Sequence, residues 1–519
     1  MKRYLKNYIF FLLFTSALQL HAQKPDAITE KSVTIESGQV SGVIDKSVKV
    51  FRGIPYAAPP IGNNRWRAPE PVATWSGIKP CSKFGPNAMQ GAPVPFSVYT
   101  EEYLIPAGGD MSEDCLYLNI WTDATRTNEK RPVVVFIHGG GFTGGSGSVV
   151  IYDGVAMAKK GVVFVTINYR LGLFGFLAHP ALQKESTNGM AAGNYGIMDQ
   201  VTALQWVQKN IQQFGGDPRN VTIAGQSAGA HSVNVLSATP LAKGLFQKMI
   251  AESGGRVVKG LSNIGTLAEA EEKAVQFMHA AGASSLEELR TMPASKLMAA
   301  YKGQGGLIVD GYVLKEPVYS VYEKRAQVHV PLLTGYNEGD GASGANTTIA
   351  SYKEMVAKLY GTDSSHILQL YPAGTQEEAK HSFTSLTRDR QYGAQNYTWA
   401  KMQSEESPVF MYYFKRKVPE NAAASAYSAF HTAEAPYAYG NLQYVKRPFT
   451  IADTQLSETM LAYWVNFAKT GNPNGNGLPL WPGFSAKENK VILLDSTISS
   501  GIHPGKEGVE YIYQKSIAQ

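Results

Sequence analysis

The chain has 519 residues, of which 44% are hydrophobic and only 17% charged, a balance that excludes a solvated, disordered polymer and requires a large buried core. Its formal charge is +6, yet the basic residues are scattered with no run of five or six Lys or Arg, so neither nucleic acid nor an anionic membrane is indicated as a partner. No repeat of fixed period and no low-complexity tract interrupts residues 23 to 519, which are read as one domain although length alone would suggest about three.

The first 22 residues stand apart. Lys2, Arg3 and Lys6 precede an apolar stretch from Tyr8 to Leu20 that ends near Ala22, the pattern of a secretory signal peptide. About 13 apolar residues fall short of the roughly 20 that span a bilayer. The expectation is an exported chain, periplasmic or secreted, cleaved after Ala17 or Ala22 and carrying no membrane anchor thereafter. Cleavage at the later site lowers the formal charge from +6 to +3. Cys81 and Cys115 are the only cysteines, and an even count in an exported chain favours a disulfide between them. Closing that loop of about 34 residues would stabilise the fold by roughly 3.7 kcal/mol.

Up to residue 115 the pattern is β-like and rich in Pro and Gly, which suits an antiparallel edge and loops. Short β-branched or aromatic runs then recur at Val133–Ile137, Val162–Ile167, Val221–Ala224, Pro331–Leu333, Val409–Phe414 and Val491–Leu494, and these are predicted strands. Near-continuous apolar runs fit a sheet covered on both faces. Between them lie amphipathic stretches. In the clearest, Met198, Val201, Leu204, Val207, Ile211 and Phe214 recur three or four residues apart as one stripe, and Gly215-Gly216 ends it. Further helices are predicted over Leu267–Ala281, Tyr352–Tyr360, Glu377–Thr387 and Thr454–Thr470. Strands alternating with helices give an α/β architecture on a mostly parallel mixed sheet flanked by helices.

Two glycine motifs carry chemistry. His138-Gly-Gly-Gly-Phe142 follows the strand Val133–Ile137, and three glycines let backbone N–H groups approach a substrate oxygen closely. No Lys-Ser or Lys-Thr follows them, which argues against a phosphate-binding loop. Gly225-Gln-Ser227-Ala-Gly229 follows the strand Val221–Ala224 and precedes a helical stretch from Ala228 to Leu236, the strand-turn-helix context of a nucleophile elbow. These features make Ser227 the candidate nucleophile, with the amides of Gly140, Gly141 and Ala228 as the candidate oxyanion hole.

A serine needs a histidine base and a carboxylate to orient it, in the chain order Ser, acid, His when it sits on such an elbow. His231 is only four residues on, inside the elbow helix, and cannot follow a downstream acid. His279, His366 and His381 fall in predicted helices and His329 just before a strand, all of which suit structural roles. His431 lies in a loop beyond the strand Val409–Phe414, where such a base should sit. For the acid, Asp340 and Glu338 compete within one loop, Tyr336-Asn-Glu-Gly-Asp340-Gly341.

With these residues in view, the chain resembles the type-B carboxylesterase/lipase family, the cholinesterase-like branch of the α/β-hydrolases, over nearly all of residues 30 to 500. Phe51-Arg-Gly-Ile-Pro-Tyr-Ala-Ala-Pro-Pro60 and Ser112-Glu-Asp-Cys-Leu-Tyr-Leu-Asn-Ile-Trp121 are similar to its opening and cysteine-bearing motifs. Gly193-Asn-Tyr-Gly-Ile-Met-Asp-Gln200, Phe214-Gly-Gly-Asp-Pro218 and Asn466-Phe-Ala-Lys-Thr-Gly-Asn-Pro-Asn474 match further ones. The resemblance implies the α/β-hydrolase fold, Ser227 as nucleophile, His431 as base, Gly140, Gly141 and Ala228 as oxyanion donors, and Cys81 with Cys115 as the family's first disulfide. It favours Asp340 over Glu338, although the family carries Glu at that place. Gln226 replaces a common Glu, and residues 82 to 114 contain no Trp, although Tyr99 and Tyr103 are present, so choline esters are not the expected substrate.

The expectation is therefore a serine carboxylesterase that works through an acyl-enzyme on a small-molecule or glycan-linked ester, without metal or cofactor. A feruloyl-type esterase acting on plant polysaccharide and a non-catalytic cholinesterase-like binding protein are the alternatives. The reading requires that the Ser227 hydroxyl lie within proton-transfer distance of the His431 imidazole, both facing the triple-glycine amides. Oligomeric state is not readable from the residues.

Overall fold

The apolar runs assemble into an 11-stranded sheet. In chain order its strands are β1 (Val43–Asp45), β2 (Val48–Pro55), β3 (Tyr117–Thr122), β4 (Arg131–Ile137), β5 (Val163–Ile167), β6 (Gly216–Gln226), β7 (Lys248–Glu252), β8 (Leu332–Asn337), β9 (Val409–Phe414), β10 (Lys490–Leu494) and β11 (Ser499–Ile502). This computed structural model describes residues 32–517 apart from 187–192, 263, 304 and 420–428, and the expected signal peptide, residues 1–22, lies outside the described residues. Across the sheet the order is β11-β10-β9-β8-β7-β6-β4-β5-β3-β2-β1. Every pair from β5 to β10 is parallel. As expected, β1, β2 and β3 form an antiparallel edge, and β11 closes the opposite edge in the same sense.

The continuous apolar runs follow from that arrangement. All residues of β5, β7, β8 and β9 are buried, because helices cover both faces and no side of these strands meets water. Along β4, Val133, Val135 and Ile137 enter one apolar cluster while Val134 and Phe136 enter the other, the period of two that a pleated strand imposes. Helix α1 (Tyr195–Asn210) presents Met198, Val201, Leu204 and Val207 to the first cluster. Its short 3-10 extension through Phe214 ends at Gly215, which adopts φ 82°. The remaining predicted helices are α2 (Ala228–Ala238) behind β6, α3 (Leu267–Ala281), α4 (Ile349–Tyr360), α5 (Gln376–Arg388) and α7 (Ile451–Thr470), with α6 (Ala394–Gln403) between the last two. Leu456, Met460 and Trp464 of α7 pack in the second cluster. Among the described residues no helix is long and apolar enough to cross a membrane.

The expected disulfide is not formed, and Cys81 and Cys115 are separate buried thiols. The Cys81 carbonyl accepts the Arg52 N–H at 2.7 Å midway along β2, whereas the carbonyl of Leu116, the residue after Cys115, accepts the Tyr56 N–H at 3.1 Å past the end of that strand. Four residues of extended chain span about 13 Å, well beyond the roughly 7 Å between Cα atoms that a disulfide bridges. Burial pushes both thiols up, Cys81 to about 12, so neither is a reactive thiolate.

Because β4, β6, β7, β8 and β9 are parallel and adjacent, the loops that leave their carboxyl ends emerge side by side. Residues as distant in sequence as His138, Ser227, Ser253, Asp340 and His431 thus meet at one edge of the sheet.

Candidate active site

β6 ends in the elbow, where Ser227 takes φ 57° and ψ −120°, a strained conformation for a residue with a β-carbon. The strain is held from both sides. Ser227 N–H donates to the Glu252 carbonyl at 2.8 Å, and His231 N–H donates to the Ser227 carbonyl at 2.9 Å as the first turn of α2 closes. At position 229 a β-carbon would overlap the Ile137 carbonyl at the end of β4, so only glycine lets the elbow helix sit this close to the sheet.

His431 Nδ1 stands 2.9 Å from Asp340 Oδ1. The other carboxylate oxygen of Asp340 accepts the Ser253 hydroxyl at 2.8 Å and the Asn337 N–H at 2.7 Å, and the side chain is fully buried. Three donors therefore hold one carboxylate and fix the His431 tautomer, with hydrogen on Nδ1 and a free lone pair on Nε2. Glu338, the rival acid, turns away: its side chain lines a different cavity beside Arg388 and Tyr413. Asn337 also donates through Nδ2 to Glu434 Oε2, which brings a second buried carboxylate under the same loop.

Ser227, Gln226, Tyr392, His431, Thr432 and residues Gly139 to Gly141 line one cavity of about 720 Å³. Gly140 and Gly141 have φ 106° and 63°, and the Gly140 carbonyl accepts the N–H groups of Thr143 and Gly144 at 3.0 Å each, which curls the loop. Among the described residues, the N–H groups of Gly140, Gly141 and Ala228 donate to no protein acceptor. Phe96, Tyr99, Tyr103, Leu104 and Ile105 form an apolar wall of it, and the lining contains no Asp, Glu, Lys or Arg.

The proton-transfer contact itself is looser than expected. Among the described residues Ser227 Oγ makes no hydrogen bond to His431. Nε2 instead faces Gln226 Nε2 and the Tyr392 hydroxyl, each at 3.4 Å, and Tyr392 in turn neighbours Ser227. Such contacts are often long before substrate binds. The Tyr392 ring also lies over the imidazole, centroids 4.7 Å apart and planes 21° from parallel.

Burial opposes charge on His431, but the hydrogen bond and charge of Asp340, aided by Glu434, outweigh it and raise its pKa above the usual histidine value. Glu434 and Glu252 are both pushed upward, first by burial and then by a neighbouring carboxylate, Asp340 for Glu434 and Glu434 for Glu252. Tyr439 O–H and Trp464 Nε1–H hold Glu252 at 2.9 and 3.0 Å. His138, stacked on Tyr169, is lowered to about 4 by burial and stays neutral. Among the described residues no group of three or more His, Cys, Asp or Glu is gathered as a metal site requires.

Sequence reading missed Ser253, Glu252, Glu434 and Tyr392. Lys248-Met-Ile-Ala-Glu252 is a short strand with charged ends, and recognising it would have put Glu252 and Ser253 beside the elbow. Tyr392 enters the cavity because the helix between α5 and α6 widens into a π-turn at Asp389–Gly393, for which the residues carry no plain signal.

Residues 29–510 match the carboxylesterase family. The chain is 34% identical over 516 residues to fumonisin B1 esterase of Sphingopyxis macrogoltabida, covering 95% of this chain and 91% of that one. It is 34% identical over 511 residues to para-nitrobenzyl esterase of Bacillus subtilis (strain 168), covering 92% and 98%. A solved PNB esterase structure superposes with a TM-score of 0.80 at 33% identity, covering 93% of this chain and 99% of that one. Its α/β-hydrolase sheet, its elbow and similarity along nearly its whole length lead to one assignment: the chain belongs to the carboxylesterase family, whose members are serine carboxylic-ester hydrolases.

Proposed function

We propose that the protein hydrolyses carboxylic esters through an acyl-enzyme on Ser227. The observation that carries this reading is the 2.9 Å bond from His431 Nδ1 to the buried, triply held Asp340, with Nε2 turned into the same cavity as the strained Ser227. Nε2 accepts the Ser227 proton as Oγ bonds to the ester carbonyl carbon, and the imidazolium is stabilised by Asp340. Negative charge gathers on the carbonyl oxygen, where the amides of Gly140, Gly141 and Ala228 are free to donate. The C–O bond to the alcohol breaks, Nε2 returns the proton to the departing oxygen, and water repeats the sequence to release the acid.

The uncharged lining with Phe96, Tyr99 and Tyr103 supports a neutral ester with an aromatic or aliphatic group against that wall. Relatives named for fumonisin B1 and para-nitrobenzyl esters support a small-molecule substrate, and feruloyl esters belong among the candidates for the aromatic wall. The amino-terminal pattern supports export, with residues 23 to 519 as a single catalytic domain. Turnover of an aryl acetate and of methyl ferulate by wild type and Ser227→Ala tests the reading. Loss of about 10⁶ in kcat is expected, and near wild-type turnover by the variant would refute it.

A further inference from the structure

We propose that the Tyr392 hydroxyl donates a hydrogen bond to the departing alkoxy oxygen during acylation, making Tyr392 a catalytic residue additional to Ser227, His431 and Asp340. The proposal rests on ester hydrolysis at Ser227.

The geometry aims the hydroxyl. Gln391 Nε2–H donates to the Tyr392 oxygen at 2.9 Å and occupies a lone pair, which leaves the phenolic hydrogen to point elsewhere. Two acceptors stand beside it, the Ser227 hydroxyl oxygen and His431 Nε2, the latter at 3.4 Å and unprotonated while Nδ1–H is held by Asp340. When Nε2 takes the Ser227 proton it ceases to accept and Oγ enters the new acyl bond, so both neighbours of the Tyr392 O–H weaken as acceptors as negative charge builds on the leaving oxygen. That oxygen must lie beside Nε2 to receive the proton back, so it lies beside Tyr392 as well. Burial pushes the phenol well above its usual pKa, which keeps Tyr392 a neutral donor over the working range.

The backbone holds Tyr392 there. The π-turn Asp389–Gly393 swings the ring over the imidazole, and it is pinned by Asp389, which accepts from Arg388 at 2.7 and 2.9 Å and from the Tyr371 hydroxyl at 2.8 Å. A β-carbon at Gly393 would come within 2.6 Å of Asp389 Oδ1, so the turn leaves no room for a side chain. In the proposed step the Oγ–acyl bond forms, the acyl–alkoxy bond breaks and the proton on Nε2 moves to the alkoxy oxygen. Tyr392 keeps its own proton throughout.

The test is Tyr392→Phe, which removes the hydroxyl and keeps the stacked ring, assayed for kcat/KM on ethyl and p-nitrophenyl esters of one acid. A fluorophosphonate titration counts competent sites in each preparation. Ethoxide is a poor leaving group and needs the donor, whereas p-nitrophenoxide spreads its charge without help. Expected is a loss on the ethyl ester about tenfold greater than on the p-nitrophenyl ester, or about 1.4 kcal/mol. Equal factors on both esters, or no loss on either, would overturn the proposal. Ser227→Ala measured in parallel separates the two levels: an active variant removes the acyl-enzyme reading and this proposal with it, while an inactive one beside equal Tyr392→Phe factors removes this proposal alone.

Discussion

Replacing Asp340 by Asn keeps the shape of the side chain and removes its charge, and the three donors around the carboxylate set the size of the effect. If the new amide keeps its oxygen toward His431, its NH₂ meets the Asn337 N–H that sits 2.7 Å from Oδ2, a buried donor facing a donor. That arrangement costs about 1–3 kcal/mol. If the amide turns over, its oxygen satisfies Asn337 and Ser253, but NH₂ faces His431 Nδ1 and drives the hydrogen to Nε2, where it blocks the proton of Ser227. The turned form is favoured, leaving a fraction of about one in thirty with the working tautomer. That fraction has also lost an attraction of about 4 kcal/mol, or some 10³-fold, between imidazolium and carboxylate at an effective dielectric constant of about 20. Together they amount to a fall in kcat of about 3 × 10⁴. The assay is p-nitrophenyl acetate turnover at pH 8, normalised to folded protein by the thermal unfolding midpoint, with Glu338→Gln as the control expected to stay within about twofold. A loss below about tenfold in folded Asp340→Asn, or an equal loss in Glu338→Gln, would show that Asp340 is not the carboxylate that orients His431.

Other perturbations read separate parts of the structure. Glu434→Gln removes a charge that helps hold the His431 pKa up, and since the base works unprotonated, the acid limb of kcat/KM is expected to move to lower pH; a limb that stays or moves upward contradicts this. Gly229→Ala sets a methyl group against the Ile137 carbonyl and is expected to lower unfolding stability by roughly 3 kcal/mol in urea titration, against no change if the elbow helix can shift freely. Because Cys81 and Cys115 are separate thiols, both should react with a thiol reagent after denaturation without reductant, and reductant should leave the thermal midpoint in place; absence of thiols or a fall in the midpoint would restore the disulfide.

The strands at the sheet's centre were readable because burial on both faces forces long apolar runs, and Met198 to Phe214 because one face of a helix must be apolar. The elbow was readable because its backbone tolerates only glycine on either side of Ser227 at that approach. His431 and Asp340 could be placed only as loop residues beyond strand ends, and their meeting depends on β8 and β9 lying next to each other in parallel, which no local pattern records. Ser253, Glu252 and Tyr392 escaped for related reasons: the first two belong to a short strand with charged ends and the turn just after it, and the third depends on one extra residue in a helical turn. The expected disulfide failed because residue count and compartment say nothing of where on β2 each cysteine lands.

In the proposed cycle the acyl group of the substrate resides on Ser227. This is tested most directly by quenching the enzyme in acid during turnover of a slowly deacylated p-nitrophenyl ester and locating the added mass by peptide fragmentation. Expected is one acyl group per chain, on Ser227 and not on Ser232 or Ser237 of the same segment, and none in His431→Ala. An acyl group on any other residue, or turnover with no covalent adduct, would contradict it.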